Sequence, residues 1–127
     1  MKQILFSALT TLIMLSATGV RADAPAPLKE GEAKVSILTD AAGLSLYTFD
    51  PDQPGVSNCN GGCAKVWPPL KAPDNTVLEA PLTAIVRADG SKQIAFKGRP
   101  LYYYSGDKKP GDINGDDLKD VWYLARP

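Results

Sequence analysis

The feature that most constrains this chain is a sentence written twice. Leu46-Tyr47-Thr48-Phe49 returns 55 residues later as Leu101-Tyr102-Tyr103-Tyr104, Asp52 returns as Asp107, and Val66-Trp67 returns as Val121-Trp122. One fixed offset across an aromatic run, an acid and a tryptophan marks an internal repeat. Two copies do not make a solenoid. They predict a pseudo-symmetric domain whose halves bury each other's apolar faces.

The stretches around these anchors read as strands. Val35 to Thr39 is a strand, Asp40 to Gly43 a turn with Gly43 free to take positive φ, and Leu44 to Phe49 the returning strand. In the second copy Ala84 to Arg87, Asp89-Gly90 and Gln93 to Lys97 repeat the pattern ahead of Leu101 to Tyr104. Pro68, Pro69, Pro73 and Pro81 separate the copies, and such a stretch excludes a long helix or a central strand. Short helical turns are expected before each tryptophan, at Cys63 to Val66 and at Asp116 to Lys119, the second with Asp116 as N-cap. The expected fold is mostly β: two antiparallel β repeats, about 33–79 and 82–127, packed as one small domain spanning 33–127.

Residues 1–22 read as a cleaved signal peptide. Lys2 precedes an apolar run from Ile4 to Leu15, shorter than the roughly 20 residues of a spanning helix. Val20 and Ala22 fit a cleavage after Ala22, with a cut after Ala24 as the alternative. Residues 23–32 read as a flexible lead-in. Cleavage removes Lys2 and Arg21, so the 14 basic residues fall to 12 against 14 acidic ones and the net charge becomes −2. A chain so near neutrality offers no electrostatic case for nucleic acid or an anionic membrane surface. It carries no histidine, which excludes Ser-His-Asp and Cys-His catalysis, imidazole metal sites and histidine-ligated haem.

The pair Tyr47-x-Phe49-x-x-Asp52 and Tyr102-x-Tyr104-x-x-Asp107 resembles the motif of a bacterial family called secreted repeat of unknown function, predicted lipoproteins. The segment Cys59 to Leu70 and the run Gly98-Arg99-Pro100-Leu101-Tyr102 are similar to that family too. The resemblance spans about residues 33–127. It implies an extracytoplasmic address and no established reaction. Two departures stand out. No lipobox cysteine is present near the cleavage region, and Tyr123 stands where the family pattern has histidine after the second tryptophan.

The candidate residues divide into three groups. Cys59 and Cys63, the chain's two cysteines, predict a disulfide in an oxidising compartment, with two glycines between them to let the backbone bend. A loop so small should contribute under about 3 kcal/mol. Redox or Cu(I) chemistry is the sharper use of that spacing. Tyr47, Phe49, Trp67, Tyr102, Tyr104 and Trp122 read as paired core layers, since i and i+2 on a strand share a face. A ligand platform is the alternative. Asp52 and Asp107 read as acceptors for turn N–H groups, with paired acids for hydrolysis the weaker reading. The acidic loop from Asp112 to Asp120 fails the EF-hand pattern, because Asp117 occupies its glycine position and Tyr123 its glutamate position. The functional expectation is a non-enzymatic periplasmic binding or interaction module with no cofactor, no metal and no membrane anchor after cleavage. Its partner is an unidentified protein or small molecule. The alternative is a redox or metal-handling accessory.

Overall fold

The computed structural model describes residues 29–30 and 37–127. The expected signal peptide, most of the lead-in, and Val35 and Ser36 lie outside the described residues. Among the described residues the chain forms strands β1 (Lys29–Glu30), β2 (Leu38–Thr39), β3 (Tyr47–Phe49), β4 (Leu82–Val86), β5 (Lys92–Phe96), β6 (Arg99–Pro100) and β7 (Trp122–Leu124), with one helix, α1 (Gly62–Val66). They make three small antiparallel sheets, β1-β2, β3-β7 and β4-β5-β6. Two residues of the stretch read as lead-in, Lys29 and Glu30, therefore pair with Thr39 and Leu38.

The repeats exchange strands. β3 of the first copy pairs with β7 at the end of the second, with Phe49 opposite Trp122 and Tyr47 opposite Leu124. The counterpart is Tyr102, bridged to Pro69, with the Tyr103 N–H donating to the Pro68 carbonyl. Asp50 N–H donates to Val121 O in one copy, and Ser105 N–H to Val66 O in the other. Pro68 accepts the Tyr103 N–H but has no N–H to give back, so the second aromatic run is held by bridges rather than a full strand.

At the centre Tyr47 and Tyr102 face each other and trade both backbone hydrogen bonds, at 2.8 and 3.0 Å. Equivalent residues opposed in an antiparallel pair place a local twofold axis between them. The expected pseudo-symmetric β domain is present.

The proline-rich joint differs from expectation. Its prolines keep it out of a regular strand, yet it enters the sheet interior. Leu70 N–H donates to Leu101 O, Ile94 N–H to Leu70 O and Ala72 N–H to Lys92 O. Leu70 and Ala72 supply the donors that Pro68, Pro69 and Pro73 lack. The helical turn before Trp67 forms as α1. The one expected before Trp122 does not, because Asp117, Lys119 and Asp120 all have positive φ, outside the helical region. Asp116 caps no helix. Its Oδ1 accepts Leu124 N–H at 3.0 Å instead.

Alternation along the strands divides the core in two. Tyr47, Trp67, Tyr102, Trp122, Cys59, Ile37 and Leu124 pack on one side. Leu38, Leu46, Leu70, Ile94 and Leu101 pack on the other.

Candidate functional site

Tyr47 and Phe49, two residues apart, point into the same layer, and so do Tyr102 and Tyr104. There they meet the tryptophans. Trp67 and Trp122 lie face to face, with centroids 3.8 Å apart and planes within 4°. Phe49 stacks on the outer face of this pair against Trp122 at 4.2 Å, and Tyr104 against Trp67 at 4.4 Å. The result is a four-ring column, Phe49–Trp122–Trp67–Tyr104, in which each outer ring comes from the other repeat. Tyr47 meets Trp67 edge-on at 5.4 Å, and Tyr102 meets Trp122 edge-on at 5.2 Å. Edge and offset contacts of this kind stabilise by about 0.5–1.5 kcal/mol each beyond area burial.

The acids are also exchanged. The Tyr47 hydroxyl donates to Asp107 Oδ2 at 2.6 Å, and the Tyr102 hydroxyl to Asp52 Oδ2 at 2.7 Å. The remaining oxygens serve their own loops. Asp52 Oδ1 accepts Asn58 N–H, and Asp107 Oδ1 accepts both Asn114 N–H and its side-chain amide. Burial, then the carboxylate hydrogen bonds, pushes both phenols well above the ordinary tyrosine range. Burial also raises Asp52, against the opposing pull of Tyr102, Asn58 and the Arg87 charge.

Behind Asp52 lies a group that the sequence reading did not single out. Arg87 is 6% exposed. Its Nη1 donates to Gln93 Oε1 at 2.7 Å and to Ser57 Oγ at 3.0 Å, and its Nη2 to the Cys59 carbonyl at 2.5 Å. The Tyr102 hydrogen is committed to Asp52, so Ser57 donates to the Tyr102 oxygen at 2.6 Å. A directed chain thus runs from Arg87 through Ser57 and Tyr102 to Asp52. The available signal was periodicity: Ile85 faces inward, and two residues later Arg87 must follow it.

Cys59 and Cys63 form the expected disulfide, with Cα atoms 5.2 Å apart. Cys59 is buried in the aromatic layer. Asp112 and Asp116 of the acidic loop act as backbone acceptors. Asp112 Oδ2 takes the N–H groups of Lys108 and Lys109, and no cluster of three or more metal-ligating side chains occurs among the described residues. Every buried side-chain nitrogen and oxygen among them has a partner.

Two surface cavities flank the ends of the ring column and are related by the twofold. The first, about 90 Å³, has Phe49, Asp52, Lys97 and Arg99 in its wall. The second, about 240 Å³, is lined by Asp40, Leu44, Ser45, Tyr103, Tyr104 and Asp107.

A family model described as a secreted repeat of unknown function matches residues 33–71 and again 83–126. The chain belongs to this family. The two matched stretches are the two copies whose strands interlock above, so the secreted repeat is one half of the fold rather than a free-standing unit. No curated protein and no solved structure matches the chain.

Proposed function

We propose that this secreted-repeat protein is a non-enzymatic binding or interaction module of the periplasm, delivered there by a cleaved signal peptide. The observation that carries the reading is the fate of the duplicated motif. Its tyrosines, acids and tryptophans are spent on one another in a satisfied core, so they serve as a rigid scaffold. What differs between the copies lies in their loops and at the cavity rims, where a partner would be read. Family membership supports export, and the scaffold suits binding without turnover.

Native mass spectrometry of protein purified from periplasm, compared with the denatured sample, tests this. A mass that leaves on denaturation, or a protein companion in stoichiometric amount, is the expected result. A bare chain with no companion across detergent-free preparations would overturn it. The same spectrum reads the mature N-terminus, expected at Asp23.

One observation favours a second reading, redox use of Cys59 and Cys63. A buried guanidinium is hydrogen-bonded to the Cys59 backbone carbonyl, which adds a positive charge to the surroundings of that residue. Redox titration distinguishes the two. A structural disulfide resists glutathione, whereas a working one exchanges within the glutathione range.

A further inference from the structure

The three-stranded sheet ends in an open edge. β4 is its outermost strand, paired with β5 alone. Hydrogen bonding along that pair alternates. Arg87 N–H donates to Ser91 O and Lys97 N–H to Pro81 O, so the odd-numbered residues of β4 face β5. The opposite strand agrees. Ile94, across from Ala84, donates its N–H to Leu70 O and accepts Leu101 N–H, turned away from β4. Ala84 and Val86 therefore aim their N–H and C=O groups outward. No hydrogen bond reaches them among the described residues. Other edges are met by the chain itself: the side of β3 away from β7 by Tyr102, and the side of β7 away from β3 by Asp116.

The β4 edge also lacks the usual blocks against pairing. Leu82-Thr83-Ala84-Ile85-Val86 holds no lysine, no other charge and no proline. Thr83, Ala84 and Val86 are exposed, Val86 at 69%. Ala84 and Val86, two residues apart, share a face. The open window is short. Upstream, Leu82 N–H is taken by Glu79 O, and downstream the chain turns, with Gly90 N–H donating to Arg87 O. Two open residues flanking Ile85 form a self-complementary row. Under a twofold axis at Ile85, Ala84 of one copy opposes Val86 of the other. Each gives its N–H to the other's carbonyl, and the axis repeats the exchange. The large exposed side chain then lies beside the small one on both sides of the axis. This match is a property of two identical strands, in the manner of an isologous interface.

We infer that β4 is a self-association edge, which pairs antiparallel with β4 of a second copy in register about Ile85 and joins two three-stranded sheets into one. The five residues of β4 fall well short of the roughly 20–30 residues a side of a stable interface, so the dimer is reversible and concentration-dependent. The inference goes beyond the binding-module reading and does not depend on it.

The test is sedimentation velocity of the full mature chain from micromolar to millimolar concentration, with amide hydrogen exchange on the same samples. The sedimentation coefficient should climb towards that of a dimer. Exchange at high concentration should slow at the Ala84 and Val86 amides and stay unchanged at Ile85, whose N–H already faces β5. Ala84→Pro deletes an outward N–H and no bond to β5, so the monomer should fold while association weakens roughly tenfold or more. Val86→Lys, a change at an exposed position, should weaken association in the same way. A chain that stays monomeric throughout, or a dimer that survives both substitutions, would overturn the inference. So would a different protein that binds the monomer and is lost with both substitutions, which would give the edge to that partner's strand.

Discussion

The hydroxyl of Tyr102, reaching into the first repeat's loop, is met by Ser57, with the buried charge of Arg87 behind it. The hydroxyl of Tyr47, reaching into the second repeat's loop, is met by the backbone N–H of Gly115 at 3.2 Å. The first loop is closed by a disulfide and a helical turn. The second is closed by Asp112, Asp116 and three residues at positive φ. Two different loop constructions thus deliver the same tyrosine–acid and tryptophan contacts. The shared geometry lies where the repeats touch each other, and the freedom to diverge lies where they do not.

Breaking the shared part should cost most and cost both halves alike. Trp67→Ala and Trp122→Ala are each expected to destabilise by about 3–5 kcal/mol in urea denaturation. A large inequality would mean that the twofold is not energetic. Next comes Gly115→Ala, which probes the second loop alone. A Cβ there would lie 2.7 Å from the Trp67 ring and 3.0 Å from that of Tyr104, so a loss of about 1–3 kcal/mol is expected from overpacking. Smaller again is the contrast between Asp52→Asn and Asp107→Asn. Both lose an ionic acceptor, but only Asp52 answers the Arg87 charge. Burial outweighs that charge and raises the Asp52 carboxyl, so its ionised form gains little in the fold; with solvent screening part of the effect, the difference should be about 1 kcal/mol, with Asp107→Asn the worse.

The smallest effect is nil at neutral pH. Tyr47, Tyr102 and Tyr103 have folded pKa values raised above 10.0, first by burial and then by Asp107, Asp52 and Asp40. The folded state holds these protons more tightly than the unfolded one. Their contribution is therefore fully present below pH 10 and is lost as pH climbs beyond it. Phenolate absorbance should rise together with loss of tertiary circular dichroism. Ionisation ahead of unfolding would show that the tyrosine–acid exchange is open to solvent.

The duplication was legible because its residues are aromatic and acidic at a fixed offset. The Asp40–Gly43 turn was legible from its chemistry: Asp40 Oδ1 accepts the N–H groups of Ala42 and Leu44, and Gly43 has φ +91°. That each repeat pairs with the other's tryptophan segment was not legible, since long-range pairing leaves no local signature. Prolines hid the role of Leu70 and Ala72. The second expected helical turn failed because Asp116 found a better use for its carboxylate, on Leu124 N–H. The cavities were beyond sequence reading, because each wall is drawn from both copies.

The parallel indoles of Trp67 and Trp122 have a consequence beyond packing. Chromophores at 3.8 Å share their excited states, so they absorb and emit as a coupled pair rather than as two independent residues. One belongs to each half, and the coupling exists only while the halves are docked. The protein thus carries a label-free optical gauge of its own closure.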